Sequence, residues 1–133
     1  MFLRKSILLF LAVLCLSFAS CDKGPNTASV YGVVTVDGQP HPDVEIVFTP
    51  KDGQRPSVGY TNGTGAYTLR FTQDKYGCIP GSHVVRINAY RDPENDQSQY
   101  LPAKYNKEAT ENPELNLEIK KGKQKLDFDV KLK

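Results

Sequence analysis

Apolar and polar residues alternate with a period of two along nearly all of the chain after residue 28. This alternation is typical of strands with one face in a core and the other in water. The predicted strands are 29–36, 44–49, 58–61, 67–72, 85–89, 115–119 and 126–132. No segment has convincing helical periodicity, so we predict an all-β, antiparallel two-sheet sandwich of about seven strands. Phe48, Leu69, Ile87 and Phe128 are expected in its core.

Turn-forming pairs separate these strands: Asp37-Gly38, Asn62-Gly63, Pro80-Gly81 and Lys121-Gly122. Asp-Gly and Asn-Gly adopt the positive φ angles that tight hairpins require. We therefore expect hairpins at Asp37-Gly38 and Asn62-Gly63, and a last hairpin across Lys121-Gly122.

Residues 91–113 differ from these short turns, because they form a segment of 23 mostly polar residues with three prolines. Loops of this length tend to be functional or disordered.

The first 21 residues have the composition of an export signal. Arg4 and Lys5 precede the apolar run Ile7–Leu16, which is about half the ~20 residues that a spanning helix needs. Phe18-Ala19-Ser20-Cys21 follows and resembles the lipobox of bacterial lipoproteins, in which cleavage precedes a cysteine that carries a diacylglyceryl group. The resemblance divides the chain into a signal peptide (1–20), a lipidated Cys21 with a flexible tether (21–28) and a folded domain (29–133).

Ordinary cleavage after Ala19 is the alternative, since Ser17 and Ala19 also satisfy the rule for small residues at a processing site. Cys21 would then stay unmodified. The position of Cys21, where the apolar run has ended and a polar segment with Gly and Pro begins, favours lipidation. We therefore predict a membrane-anchored lipoprotein in a bacterial cell envelope.

The charge of the chain argues against a nucleic-acid partner. Removing Arg4 and Lys5 from the 17 basic residues leaves 15, equal to the 15 acidic residues. Nucleic-acid binding requires a concentrated basic surface. Acidic residues are frequent in 92–118 and lysines in 119–133, which we interpret as solvated faces of one domain.

Few residues could carry chemistry. Cys15 leaves with the signal, Cys21 is the lipid carrier, and an unpaired Cys78 is most often a small buried hydrophobe. His41 and His83 lack the spacing of a zinc site, and His41 lies between two prolines in a turn. Asp92, Glu94 and Asp96 alternate as in calcium loops, but the glycine and glutamate of such loops are missing, which favours a solvated loop. We therefore expect no catalytic residue, no metal and no cofactor.

Several segments together resemble the carboxypeptidase regulatory-like domains of the transthyretin-like β-sandwich group, as found in small bacterial lipoproteins. The segments are Val30-Tyr31-Gly32-Val33-Val34, Asp37-Gly38-Gln39-Pro40, Val44-Glu45-Ile46-Val47-Phe48, Thr61-Asn62-Gly63-Thr64-Gly65-Ala66-Tyr67-Thr68-Leu69, Ile79-Pro80-Gly81, Leu101-Pro102-Ala103-Lys104-Tyr105 and Asn112-Pro113-Glu114-Leu115. The resemblance implies an immunoglobulin-like or transthyretin-like fold and an accessory role, because such modules carry no catalytic residue.

The sequence therefore predicts a non-enzymatic binding or structural module with an unknown protein, peptide or glycan ligand. One alternative is a carbohydrate- or peptide-binding domain that uses Tyr90, Tyr100 and Tyr105 on the 91–113 segment, since exposed aromatics give large contact areas. We expect one face of each sheet to be committed to the core and the other to charged residues such as Arg70, Arg86, Asp127 and Lys131. Leu101–Tyr105 could instead only cover a sheet edge. An enzyme or redox protein acting through Cys78 is a further alternative.

Overall fold

The computed structural model describes residues 24–92, 94 and 96–133. The strands of this part are β1 (Ser29–Val36), β2 (Gln39–Pro40), β3 (Glu45–Pro50), β4 (Ser57–Tyr60), β5 (Ala66–Thr68), β6 (Arg70–Thr72), β7 (Lys75–Tyr76), β8 (Gly81–Asn88), β9 (Tyr90–Asp92), β10 (Asp96–Gln99), β11 (Asn116–Ile119), β12 (Lys123–Lys125) and β13 (Phe128–Val130). Three 3-10 helices, η1 (Ala103–Tyr105), η2 (Ala109–Glu111) and η3 (Pro113–Leu115), precede β11. No described helix has the length and apolar character that crossing a membrane requires.

Two sheets form the body of the domain, which confirms the predicted all-β sandwich. The first sheet has the order β11-β8-β3-β4-β6-β7 with antiparallel pairs throughout. The second is built on β1, which pairs with β5, β2, β12 and β13. β9 and β10 form a separate two-stranded hairpin. The predicted strands are therefore present, but 67–72 is divided into β5 and β6, and 126–132 is shortened to β13.

The core lies between the sheets and is made by the alternate positions of each strand. In β1 the buried positions are Val30, Gly32, Val34 and Val36, with half-buried residues between them. Phe48, Leu69 and Ile87 are fully buried, and Phe128 is partly buried and packs against them. This confirms the predicted core.

β12 and β13 run parallel to β1, which differs from the predicted last hairpin. β11 pairs instead with β8 in the other sheet. Gly122 (φ 102°) directs the chain from one sheet to the other, and its carbonyl accepts a 2.8 Å hydrogen bond from the Ser29 N–H. The alternation in 126–132 predicts a strand but does not identify its partner.

The predicted strand 67–72 is divided at Leu69 between the two sheets. β5 pairs with β1, whereas β6 pairs with β4 through Val58 and Arg70. The Leu69 N–H donates to the Val30 carbonyl (2.9 Å), and the Leu69 carbonyl accepts from Gly77 (2.7 Å). Both backbone groups of this buried residue are therefore paired at the point where the chain passes from one sheet to the other.

The two predicted tight turns have different outcomes. Asp37 (φ 50°) and Gly38 (φ 82°) connect β1 to β2 in the expected hairpin. The Asn62-Gly63 segment connects β4 to β5, which lie in different sheets, so it is not a hairpin. Its positive φ belongs to Gly65 (75°), and the Asn62 side chain holds the turn by accepting from the Thr64 and Ala66 N–H groups.

The 91–113 segment is largely structured where it is described. It contributes to the β9–β10 hairpin and then forms η1 and η2, which with η3 pack on β8. Leu101 and Tyr105 are buried in the core, and Ala109 joins them. The second half of this segment is therefore part of the sandwich rather than a free loop.

Residues 24–28, which we call the strap, lie against β7. The Lys75 Nζ contacts the carbonyl oxygens of Gly24 (3.3 Å) and Pro25, and the Thr27 hydroxyl donates to the Tyr76 carbonyl at 2.8 Å. Ala28 and Cys78 exchange two backbone hydrogen bonds of 2.7 and 2.9 Å. This part of the predicted tether is held by the domain. The predicted signal peptide and Cys21 lie outside the described residues.

Asp129 connects β13 to β1 and to the first hairpin. Its carboxylate pairs with Lys131 and accepts from the Thr35 hydroxyl and the Gly38 N–H at 2.8 and 3.1 Å. The hydrogen bond from Lys131, followed by those from Thr35 and Gly38, lowers the pKa of Asp129 to about 2. A lowered native pKa stabilises the fold above the unfolded value of about 3.9, and this stability is lost as the pH falls through 2.

We expect Asp129→Asn to melt at a lower temperature than wild type at pH 6. The variant should also lose less melting temperature between pH 4 and pH 2, because the titrating group is gone. Thermal unfolding followed by circular dichroism at both pH values measures this. Equal acid sensitivity of the two proteins would show that other carboxylates control it.

Candidate functional site

An open groove of about 710 Å³ lies where β4, β5 and β6 meet. This volume is in the range of small-molecule sites. Arg55, Tyr60, Arg70 and Tyr76 are among the lining residues, and no aspartate or glutamate is found among the described ones. On a domain with balanced charge, the groove is therefore locally positive.

Tyr76 and Arg70 form a preorganised pair within the groove. The Arg70 guanidinium carbon lies 4.6 Å from the centre of the Tyr76 ring, and Nη2 donates to the Tyr76 hydroxyl at 2.7 Å. Nη1 donates to the Gln73 carbonyl at 3.2 Å. These bonds use two of the five guanidinium N–H donors. The others can bind a carboxylate, sulfate or phosphate in a fixed orientation.

Tyr60 lies at another margin of the groove and is 64% exposed, against 57% for Tyr76. Its hydroxyl donates to Glu45 (3.1 Å), which also accepts from the Asn88 amide (3.0 Å). Burial, and then the charge of Glu45, raise the pKa of Tyr60, so the phenol is neutral. The network orients the ring and leaves much of it open to a ligand.

The three tyrosines predicted from the sequence have different environments. Tyr105 is 5% exposed, packs in the core and accepts from the Lys131 N–H at 2.9 Å. Tyr100 is half-buried, its hydroxyl is 2.7 Å from His41 Nε2, and burial raises its pKa. Tyr90 is half-buried in β9. None of them is among the groove-lining residues. A ligand contact at Tyr90 or Tyr100 stays a prediction.

The side chains with candidate chemistry are placed apart from the groove. Cys78 is fully buried, and burial raises its pKa to about 11, so it is a protonated thiol at neutral pH. His83 is also fully buried, with Nδ1 2.9 Å from the Gly81 carbonyl and Nε2 without a partner. Within residues 24–92, 94 and 96–133, no group of three His, Cys, Asp or Glu residues could hold a metal ion.

Sequence reasoning missed the groove because its residues come from three separate segments. Tyr60 and Arg70 lie at the solvent-facing alternate positions of β4 and β6. The alternation in the sequence therefore indicates that both side chains point outward. The pairing of Arg70 with Tyr76 and that of Val58 with Arg70, which bring the three segments together, cannot be read from the alternation within any one strand. The outer sheet face was expected to be committed to charged residues such as Arg70, but here it also presents the exposed rings of Tyr60 and Tyr76.

Comparison with known proteins identifies no family for this chain. No protein-family model matches the chain, and no curated protein matches it. Among solved structures, it is similar to a DUF3823 family protein from Parabacteroides merdae, with a TM-score of 0.45 and 13% sequence identity. The match covers 80% of this chain and 47% of that protein, so the chain spans about half of its length.

Proposed function

We propose that this protein is an exported bacterial lipoprotein, anchored by lipid on Cys21, whose β-sandwich is a non-catalytic binding module. The export signal and the lipobox-like sequence support the anchor. The resemblance of residues 29–132 to carboxypeptidase regulatory-like domains supports an accessory, non-enzymatic role. The observation that carries the binding function is the groove lined by the exposed Tyr60 and by the Arg70–Tyr76 pair.

The groove has the physical features of a recognition site. Tyrosines combine a large apolar ring with few rotatable bonds, so they contact a ligand at low entropy cost. Arg70 is held by two hydrogen bonds and thus needs little further ordering when it binds. A carbohydrate or a peptide with an acidic group fits this combination. Further contacts from the 91–113 segment, through Tyr90 or Tyr100, remain part of the proposal.

Replacing Cys21 tests the anchor. One acyl chain binds a membrane only marginally, but the chains of a bacterial lipoprotein together hold it firmly. We expect Cys21→Ala either to release exported, soluble protein or to leave the precursor uncleaved. Cell fractionation and intact mass measure this. Wild-type protein extracted from membranes with an unmodified N-terminus at Ser20 or Asp22 would contradict lipidation.

Variants of the groove test the binding site. Titrations with an acidic oligosaccharide, a neutral oligosaccharide and an acidic peptide identify the ligand class for the wild type. Tyr76→Ala and Arg70→Gln should each weaken binding about tenfold, the effect of losing one aromatic or charged contact of ~1.4 kcal/mol. Leu132→Ala is the matched control, because Leu132 is 41% exposed and does not line the groove. Unchanged affinity in both groove variants would place the site elsewhere.

A further inference from the structure

The end of the sandwich where the strap enters is rich in basic residues. Several connections meet there: Ala28 bonds to Cys78, Ser29 to Gly122, and Lys51 to Ser82, while Ile119 is paired with Gly81. The basic residues carried by these segments and their neighbours are Lys51, Arg55, Lys75, Lys120, Lys121 and Lys123. Lys75 is half-buried and the other five are exposed. We call this surface the basic end.

The positive charge of the basic end is not neutralised within the domain. Three carboxylates, Asp52, Asp74 and Glu118, lie on the same segments, so basic residues outnumber acidic ones by two to one. Asp52 bonds to Gln54, and Glu118 accepts from the Ser82 hydroxyl. In the described part of the chain, none of the six basic side chains forms a salt bridge. This local excess of charge can therefore attract an anionic partner.

The opposite end of the sandwich has a different charge. The β1–β2 turn lies there, a β1 length of eight residues or roughly 26 Å from the strap. Asp37, Asp43 and Glu45 belong to this end, and Asp129 forms a salt bridge with Lys131.

The basic end is also the end next to the proposed anchor. Gly24 is held by Lys75, and only Asp22 and Lys23 lie between Cys21 and Gly24, so the two ends are at most about 11 Å apart. The headgroup layer on each side of a bilayer is roughly 5–8 Å thick, and the Debye length at physiological salt is about 8 Å. A lipid on Cys21 would therefore hold these cations within electrostatic range of the headgroups.

We propose that the basic end docks on anionic phospholipid headgroups of the membrane that carries the anchor. The proposal rests on the proposed lipid on Cys21 and adds the partner and the orientation of the domain. Clusters of Lys and Arg beside a membrane anchor bind anionic lipids in this way, with affinity that depends on salt. The opposite end of the sandwich, with the Asp37-Gly38 turn, then faces away from the bilayer.

Lysine footprinting of the mature lipoprotein tests this orientation without any amino-acid substitution. The purified lipoprotein is reconstituted in phosphatidylcholine vesicles with or without phosphatidylglycerol, and exposed lysines are modified by a membrane-impermeant amine reagent and quantified by mass spectrometry. Modification of Lys120 and Lys121 should fall about fivefold with phosphatidylglycerol, the effect of one cation at an anionic surface. Lys107 and Lys133, which lie elsewhere, should be unchanged. At about 1 M salt the protection should disappear, because the Debye length is then about 3 Å.

A matched pair of charge variants gives the second measurement. Lys120→Gln, Lys121→Gln and Lys123→Gln together should abolish the lipid-dependent protection of Lys51. Lys104→Gln, Lys107→Gln and Lys133→Gln together remove the same charge elsewhere and should preserve it. Circular dichroism confirms that both variants are folded. Equal Lys51 protection in the two variants would overturn the proposal.

The outcomes separate docking from anchoring. Protein that floats with both vesicle types but shows no lipid-dependent footprint is anchored and not docked, which overturns this inference alone. Protein that fails to float with phosphatidylcholine vesicles is not anchored, which overturns the proposed function. Protection by soluble polygalacturonate but not by phosphatidylglycerol would also overturn docking and assign the basic end to a soluble polyanion.

Discussion

Phe48→Ala is expected to lower the free energy of unfolding by about 3–5 kcal/mol. Phe48 is fully buried in the central strand β3 and lies between the two sheets. Its ring meets Phe128 edge-on at 6.3 Å between centroids and lies 6.0 Å from the His83 ring. Truncation removes these contacts and leaves a cavity that neighbouring strands, fixed by their ladders, can fill only in part.

The size of this effect relative to the whole domain makes it easy to measure. Domains of this kind are stable by about 5–15 kcal/mol, so the variant loses a large share. Tyr60→Ala is the control, because it also deletes an aromatic ring but from a residue that is 64% exposed. It should cost about 1 kcal/mol or less. Urea unfolding measures both, and similar losses would show that Phe48 does not occupy the core.

The strands and the buried positions could be predicted from the sequence because both depend on the local alternation of apolar and polar residues. Leu69 and Ile87 each have polar neighbours on either side, and Phe48 continues the alternation of Val44 and Ile46; a strand with this pattern buries one face. The preference of unpaired cysteines for the interior also predicts that Cys78 is a buried thiol, which the structure confirms. These results do not require knowledge of which strands pair.

The pairings could not be predicted, because alternation is the same whichever neighbour a strand has. Residues 115–119 and 126–132 read equally well as one hairpin or as strands of two sheets, and the structure has the second arrangement. The division of 67–72 at Leu69 is a similar case. Leu69 faces the core at the point where the chain passes from one sheet to the other, so the alternation of apolar and polar residues continues there without a break.

The groove and the basic end follow from these pairings, so the sequence did not reveal either. Arg70 and Tyr76 meet because β6 and β7 pair, and Tyr60 joins them through β4. Long loops are a reasonable place to expect binding residues. Here the second half of the 91–113 segment is instead bound to the core by Leu101 and Tyr105. Burial of an aromatic depends on the tertiary fold and cannot be read from its neighbours.

Gly32 illustrates a position whose requirement is visible only in the structure. It is a buried residue inside β1, where glycine commonly marks a close approach of two backbones. A Cβ atom placed on it would lie 1.9 Å from the Leu126 carbonyl oxygen and 2.6 Å from the Leu126 carbonyl carbon. The same region contains the Leu126–Tyr31 backbone hydrogen bond (2.8 Å) and the bond from the Tyr67 hydroxyl to Leu126 (2.5 Å).

We therefore expect Gly32→Ala to lower the free energy of unfolding by about 3 kcal/mol or more, because rigid backbone must move to admit one methyl group. Gly63→Ala is the matched control, since a Cβ there meets nothing within 4 Å and its φ is not positive. Removing the flexibility of this glycine should leave stability unchanged or raise it slightly. Urea unfolding compares the two variants. Equal stability of Gly32→Ala and Gly63→Ala would contradict the close packing of Leu126 on β1, and with it the parallel placement of the last strands.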